Sequence, residues 1–329
     1  MAIVIRNAIL HVLRNDGRES VFSEAELDFD SEICEAFIQK HVKKLIANPG
    51  VRTAHFPQQA QFYQLLGNYQ SNGIYFKEMS REIAAKMDGI MKRFTDIPPC
   101  DLLVTRVGHK TGEYLAILKL NYHEVYASKS NNADNQLTKC TALPFSTGKV
   151  EYAALIGLDG SAMPINVTEK PATIDGNQVN YFSELFLECE TAPSQKEQAK
   201  LIDEVTVEFV DEYCRQDPIV SAKIKTALVE ESEEKEGTVS MDNVAAVAFQ
   251  GQDEMKQKYV ETMREAGVRE DLPLGQRVVK QQFATHKIKA ENGVEIRFPA
   301  ELAIDEDEIE ITTHNDGTVS VLLKRLRML

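Results

Sequence analysis

The sequence predicts an α+β protein of two domains. The N-terminal domain is expected to hold a mixed or antiparallel sheet with helices. The C-terminal domain is expected to hold helices followed by a small antiparallel sheet. Three observations support this: a β-hairpin pattern at residues 101–127, apolar residues at helical spacing before and after it, and Asn-Gly and Asp-Gly turns between short apolar runs near the C-terminus. We divide the chain into residues 1–175 and 176–329.

The hairpin pattern is the strongest strand signal in the chain. Two apolar runs, Leu102 to Val107 and Tyr114 to Tyr122, are joined by a turn with a glycine at each end. Runs of this kind around a short Gly-containing loop are typical of a β-hairpin. The second run is apolar at consecutive positions 115–118, so we expect a central strand that is covered on both faces.

The other elements of the first domain follow from hydrophobic periodicity and from turn residues. Asp30 or Ser31 can cap the first long helix, and Asn48-Pro49-Gly50 follows its end. The predicted elements are a strand at 3–13, helices at about 31–47, 57–66 and 75–94, a polar loop at 131–135 and a strand at 150–158.

The second domain is expected to begin with helices and to end with hairpins. Ser194 and Glu197 have the spacing of a capping box, and Asp217-Pro218 places a proline at a first helical position. The predicted elements are helices from these two points, helices at 242–249 and 253–266, and hairpins at 283–298 and 308–323.

The charge is divided unevenly between the two parts of the chain. The net charge is −14 in total. Residues 1–150 hold 18 basic and 16 acidic side chains, a net charge of +2, and the remainder holds 19 and 35, a net charge of −16. A surface that meets nucleic-acid phosphates should therefore lie in the first domain, since the acidic second domain repels DNA.

Familiar catalytic and metal-binding patterns are missing from the sequence. It has no P-loop, no dinucleotide fingerprint, no H-E-x-x-H and no G-x-S-x-G, so we expect no cofactor, no metal and no enzymatic activity. Asp101 and Lys119 resemble part of a nuclease site, but Ile117 stands where the second carboxylate is needed. His123-Glu124 is a poor chelate because neighbouring strand residues point to opposite faces.

The cellular location is predicted from cysteine usage and hydropathy. The five cysteines are widely spaced and form no C-x-x-C pair, which favours a reducing cytosol and small buried thiols. No apolar run approaches the roughly 20 residues of a membrane helix. We therefore expect a cytoplasmic protein without a membrane partner.

Two groups of basic residues are candidates for contact with DNA. The first lies at the end of the first long helix, and the second lies at the hairpin tip. A flexible basic loop can lie along phosphates without reading bases. The hypothesis requires these side chains to gather on one exposed surface, and an ordinary solvated surface is the alternative interpretation. The candidates are Lys40, Lys43, Lys44 and Arg52 in the first group, and Arg106, His109 and Lys110 in the second.

Several apolar strand sequences resemble one known family. They are residues 8–13, 114–120, 152–156, 180–182, 293–298 and 319–321. Through these segments, which are spread over nearly its whole length, the chain resembles the bacterial 37-kDa nucleoid-associated protein family. The resemblance implies a protein located at the nucleoid in the cytoplasm, DNA binding, and no catalytic motif. Family members often carry a basic segment where this chain has the acidic residues 188–193, which favours the first domain as the DNA contact.

Three hypotheses remain open. The first is weak, non-sequence-specific DNA binding through the N-terminal domain. The second is a protein-interaction module recruited to the nucleoid through another nucleoid protein, which the acidic second domain favours. The third is an unrecognised hydrolase, for which a deep pocket with several carboxylates of raised pKa would be the evidence. The oligomeric state is not predicted.

Overall fold

The computed structural model confirms the predicted α+β class. It describes residues 3–29, 32–72, 75–110, 112–131, 134–145, 148–289, 293–305, 307–314 and 318–325. The chain forms two compact units, unit 1 at Met1–Ala192 and unit 2 at Pro193–Leu329. No helix in these described residues is long and apolar enough to cross a bilayer.

Unit 1 is built around one large antiparallel sheet. The elements are β1 (Ile3–Leu13), α1 (Glu32–Ala47), β2 (Arg52–His55), α2 (Gln61–Asn72), α3 (Phe76–Arg93), β3 (Cys100–His109), β4 (Gly112–Asn121), β5 (His123–Asn131), β6 (Asp134–Ala142), β7 (Tyr152–Gly157), β8 (Ile165–Thr168), β9 (Ala172–Ile174), β10 (Asn177–Val179), a π-helix (Phe182–Leu187) and β11 (Glu190–Thr191).

The β3–β4 hairpin lies inside the large sheet, as predicted. The strand order is β1-β3-β4-β7-β8-β2-β11, and every neighbouring pair is antiparallel. Consecutive residues of β4 alternate between two cores: Leu115 and Ile117 pack beneath α3, while Ala116 and Leu118 pack beneath α1. The run of apolar residues is explained by this cover on both faces.

The helices of unit 1 agree with the sequence except for α2. The first and third follow their predictions closely, and the predicted caps of α1, Asp30 and Ser31, lie outside the described residues. The second begins at Gln61 and continues through Gly67 to Asn72, so the predicted start at Pro57 and stop at Gly67 are wrong. A glycine inside a helix costs only about 1 kcal/mol relative to alanine, and the burial of Phe62 and Leu66 offsets it.

The strands β5 and β6 were not predicted. They form a separate two-stranded sheet. In the predicted loop at 131–135, residues 131, 134 and 135 are strand and the other two lie outside the described residues. Cys140 on β6 is exposed, and for this thiol the expectation of burial is wrong because β6 has no covering layer. Cys100 and Cys189 are buried, as expected.

Unit 1 ends at Ala192, beyond the predicted domain boundary at residue 175. The extension follows from packing on the sheet. Phe182, Phe186 and Leu187 of the π-helix belong to the core beneath α3, and β11 pairs with β2. The change in charge thus begins inside unit 1.

Unit 2 is helical and is followed by two hairpins. The elements are α4 (Gln195–Tyr213), α5 (Pro218–Glu234), β12 (Thr238–Ser240), α6 (Met241–Ala248), α7 (Asp253–Glu265), β13 (Asp271–Pro273), α8 (Gln276–Phe283), β14 (Thr285–Lys289), β15 (Glu295–Pro299), a 3₁₀ helix (Ala300–Ile304), β16 (Ile309–Thr313) and β17 (Val319–Leu323).

Local signals predicted the start of each long helix in unit 2. Ser194 and Glu197 form a complete capping box, and the Asp217 carboxylate accepts from the Ile219 amide at 2.9 Å. Phe209, Phe249 and Tyr259 pack together at the centre of the helical core. The predicted hairpins near the C-terminus are present as β14–β15 and β16–β17, whereas α8 and the β12–β13 pair were missed.

Candidate nucleic-acid interface

The C-terminal half of α1 presents three lysines to solvent. One face of this helix is apolar, and Ile38, Val42 and Leu45 are buried against the sheet. The opposite face carries the lysines at three- and four-residue spacings, which places them side by side. In the described part of the chain no carboxylate lies within 4.0 Å of any of these three ammonium groups. They are Lys40, Lys43 and Lys44.

The loop before β7 adds to this positive surface. The Lys44 ammonium donates to the Gly148 carbonyl at 3.0 Å, which holds the loop against α1. Lys149 is the next residue and is exposed. In the same loop the Phe145 side chain is 71% exposed. The loop therefore places another positive charge and an aromatic ring beside the helix.

Strand register brings a fifth lysine to the same end of the sheet. Ala153 pairs with Thr168, so the residues that precede β7 lie across from those that follow β8. Accordingly, the Lys170 ammonium lies 3.8 Å from the Glu151 carboxylate. The surface formed by these side chains is called the basic end below. It consists of Lys40, Lys43, Lys44, Lys149 and Lys170.

Arg52 lies near the basic end, but its charge has a buried partner. Its guanidinium is 3.8 Å from the carboxylate of Glu169, and the two side chains are 21% and 1% exposed. Glu169 also accepts from the amide and the hydroxyl of Ser183, the amide at 3.1 Å. Burial raises the pKa of Glu169. Arg52 is thus engaged in holding the π-helix to the sheet.

The second predicted group lies at the opposite end of the sheet. Tyr114 at the start of β4 pairs with Gly157 at the end of β7, so the hairpin tip is remote from the loop before β7. Arg106 and Arg6 each donate to the Glu113 carboxylate, at 3.0 and 3.2 Å. Two guanidinium groups therefore share one carboxylate at this tip.

The remaining two residues of the second group differ in exposure. Lys110 is exposed in the turn, where its φ of 57° is left-handed. His109 is half-buried, and its Nδ1 has no hydrogen-bond partner among the described residues. The structure thus places the two predicted groups at different ends of the sheet and not on one surface.

A scan against family models matches residues 9–328 to the model described as nucleoid-associated protein YejK. The chain belongs to this family. The match covers nearly the whole chain and confirms the resemblance seen in the strands. A search of curated proteins found no match.

The partial nuclease pattern is not assembled in this family member. Asp101 pairs with Leu120 and Lys119 pairs with Leu102, so their side chains lie on opposite faces of the sheet. Asp101 accepts from the Tyr122 hydroxyl, and burial raises its pKa. Lys119 donates to the Pro98 carbonyl at 3.2 Å, and burial lowers its pKa. Both groups serve the interior of unit 1.

A buried histidine and serine also meet in unit 1 without forming a catalytic pair. The Ser23 amide donates to His11 Nδ1 at 3.1 Å, so the proton of the neutral imidazole is on Nε2. Nε2 lies 3.3 Å from the Ser80 hydroxyl, which donates to the Lys77 carbonyl at 2.9 Å. Burial lowers the pKa of His11 to about 4. An imidazole that donates to the serine cannot accept its proton.

Proposed function

We propose that this nucleoid-associated protein contacts duplex DNA weakly and without sequence preference through the basic end of unit 1. The observation that carries the proposal is the row of three lysines on α1, which have no carboxylate partner in the described chain. Lys149 extends the row into the loop before β7, and Lys170, which is paired with Glu151, lies at the same end of the sheet. The protein would act at the nucleoid in the cytoplasm as a binding protein, with no catalytic step.

The chemistry of the basic end favours phosphate contacts over base reading. Lysine ammonium groups act as mobile point charges, whereas base reading commonly uses the fixed fork of arginine or the amide of asparagine or glutamine. Each phosphate neutralised releases counterions, so five lysines would give a salt slope of at most about −4.5 in log–log form. Binding should therefore fall steeply as salt rises and should not depend on sequence.

The test neutralises four lysines of the basic end: Lys40→Gln, Lys43→Gln, Lys44→Gln and Lys149→Gln. We expect affinity for a mixed-sequence duplex to fall about 10- to 100-fold at low salt, and the salt slope to shrink by about 3 to 4. Fluorescence anisotropy across a salt series measures both quantities.

A matched variant removes the same charge from unit 2. It carries Lys196→Gln, Lys200→Gln, Lys223→Gln and Lys235→Gln, all at exposed positions. This variant should keep wild-type affinity to within about three-fold, since these lysines lie among many carboxylates. Equal losses in both variants, or no binding by the wild type even at low salt, would refute the proposal.

A second candidate function is recruitment to the nucleoid through a basic protein partner. The outward face of α4 in unit 2 favours it, because four exposed carboxylates follow one another there: Glu204, Glu208, Asp211 and Glu212. Such a surface attracts positively charged partners and repels DNA. Neutralising Glu208, Asp211 and Glu212 would abolish co-localisation with DNA in cells under this hypothesis. Under the first hypothesis only the basic-end variant would lose co-localisation.

A further inference from the structure

Phe145, in the loop before β7, differs from every other phenylalanine of the chain. All 14 phenylalanines lie in the described residues, and Phe145 is the one that is exposed. Single exposed apolar residues are common on protein surfaces. The surroundings of the ring therefore decide whether it has a role.

The loop that carries Phe145 is anchored on both sides of the ring. Leu143 and Val150 pack against the apolar core beneath α1, and Pro144 is buried. These neighbours lie against the protein, whereas the ring of Phe145 lies mostly in solvent. The path of the backbone thus holds the ring in water even though an apolar core is close by.

A tight turn fixes the position of Phe145 beside the basic end. The Gly148 amide donates to the Phe145 carbonyl at 2.6 Å. A Cβ atom on Gly148 would lie only 3.0 Å from that same oxygen, so glycine allows the backbone to approach this closely. The Gly148 carbonyl in turn accepts from the Lys44 ammonium at 3.0 Å. This hydrogen bond links the turn that carries the ring to the row of lysines on α1.

Lysines and an aromatic ring in one place match the two parts of a nucleotide. The ammonium groups of Lys44 and Lys149 can meet phosphates, and the ring of Phe145 can stack on a base. Proteins hold single-stranded DNA without sequence preference by this combination, because every base has a π face.

The size of the stacking effect favours an unpaired base over a paired one. Stacking of one base on an aromatic side chain strengthens binding roughly five- to 150-fold. Removing a base from an intact duplex costs about as much or more, and the cost is smallest for a base that is already unpaired. The proposed phosphate contacts are weak, so they leave little free energy for opening a duplex.

We infer that the basic end together with Phe145 is a site for DNA that contains unpaired nucleotides, such as a single-stranded gap in a duplex. The lysines hold the phosphates, and Phe145 stacks on a base that has no partner. This inference rests on the proposed function, because it names the DNA structure that the basic end prefers.

The test compares two DNA probes of the same sequence on the full chain. One is a continuous duplex of about 30 base pairs, and the other lacks about six nucleotides of one strand at its centre. By fluorescence anisotropy at low salt, the wild type should bind the gapped probe about five- to ten-fold more tightly. The gapped probe carries fewer phosphates, so charge cannot cause this preference. A gapped probe whose unpaired sugars carry no bases should lose it.

Two substitutions of Phe145 separate stacking from simple apolar contact. Phe145→Leu keeps an apolar side chain without an aromatic face, and it should bring the ratio of the two affinities to about one. Phe145→Trp keeps an aromatic face and should retain the preference. Neither change should disturb the fold, because this side chain lies mostly in solvent.

A matched control removes another exposed aromatic residue of unit 1. Tyr75 is exposed and precedes α3, which covers the other face of the sheet from α1. Tyr75→Leu should therefore keep the wild-type ratio of the two affinities.

The outcomes distinguish this inference from the proposed function. The double variant Lys40→Gln, Lys43→Gln leaves the contact between Lys44 and Gly148 in place, and it should lower both affinities together. Equal wild-type affinity for the two probes, or a preference that survives Phe145→Leu, would overturn the inference and leave the proposed function standing. A wild type that binds neither probe would overturn both.

A lipid surface is the other polyanion that a ring among lysines could meet. Vesicles of phosphatidylglycerol and phosphatidylcholine test it by co-sedimentation with the full chain. A single ring is a weak membrane anchor, so we expect no binding that depends on Phe145. Equal affinity for the two DNA probes together with vesicle binding that Phe145→Leu abolishes would overturn the inference and assign the ring to lipid.

Discussion

At the basic end of the unit-1 sheet, three lysines of α1 face solvent without a carboxylate partner in the described chain, whereas at the β3–β4 turn two arginines share the carboxylate of Glu113. Both ends therefore contain basic side chains, but their electrostatic states differ. A surface ion pair holds its arginine in place without contributing much stability, and it also cancels the charge that a polyanion would meet. Counting basic residues along a chain does not distinguish these two states.

The carboxylates at the two ends also differ in burial. Glu169 near the basic end is 1% exposed and accepts from Ser183, while Glu113 at the tip is partly exposed. We expect Glu169→Ala to lower the free energy of unfolding by about 2 kcal/mol, because the buried Ser183 amide loses its acceptor. Glu113→Ala should cost less than about 1 kcal/mol. Urea unfolding of both variants measures the difference. Equal losses in the free energy of unfolding would show that burial does not make Glu169 contribute more to stability than Glu113.

Releasing the arginines at the tip gives a more direct comparison of the two ends. In Glu113→Gln the guanidinium groups of Arg6 and Arg106 lose their shared negative charge. We expect affinity for duplex DNA to rise about two- to three-fold at low salt, which is the size expected for a surface charge pair. Anisotropy titrations would measure it.

The matched change at the basic end is Glu151→Gln, which releases Lys170. It should raise affinity by a similar factor relative to the same wild-type value. If Glu113→Gln left DNA binding unchanged while Glu151→Gln raised it, charge neutralisation would not explain why the β3–β4 turn does not bind DNA. The geometry of the turn would then be the explanation. If neither variant changed binding, the result would contradict the proposal that the basic end contacts DNA.

The predictable parts of the fold are those that local patterns determine. The β3–β4 hairpin could be predicted because β4 is covered on both faces, and α4 because its capping box is local. The β5–β6 ribbon could not, since alternation of apolar and polar residues arises only where one face is buried. Both faces of this ribbon carry exposed side chains, so its strands have no such alternation.

The candidate site was predictable only in part, because some of its residues come together through long-range contacts. Lys40, Lys43 and Lys44 share a helix face, which helical spacing alone predicts. Lys149 and Lys170 join them only through the contact with Gly148 and the register of β7 with β8, and these are long-range features. The neutralisation of Arg106 by Glu113 could have been found, because a hairpin with a short turn brings these two residues together.

A buried histidine beneath the basic end reports whether the lysine charges are unscreened. Burial is the main cause that lowers the pKa of His41, and the charge of Lys44 lowers it further. In Lys44→Gln we expect this pKa to rise, because one repulsion is removed, yet to stay below the ordinary value, because the ring remains buried. NMR titration of the imidazole measures the shift, with Lys110→Gln as the control that should leave His41 unchanged. If Lys44→Gln had no effect on His41, a counter-charge would already screen Lys44, and the basic end would resemble the tip.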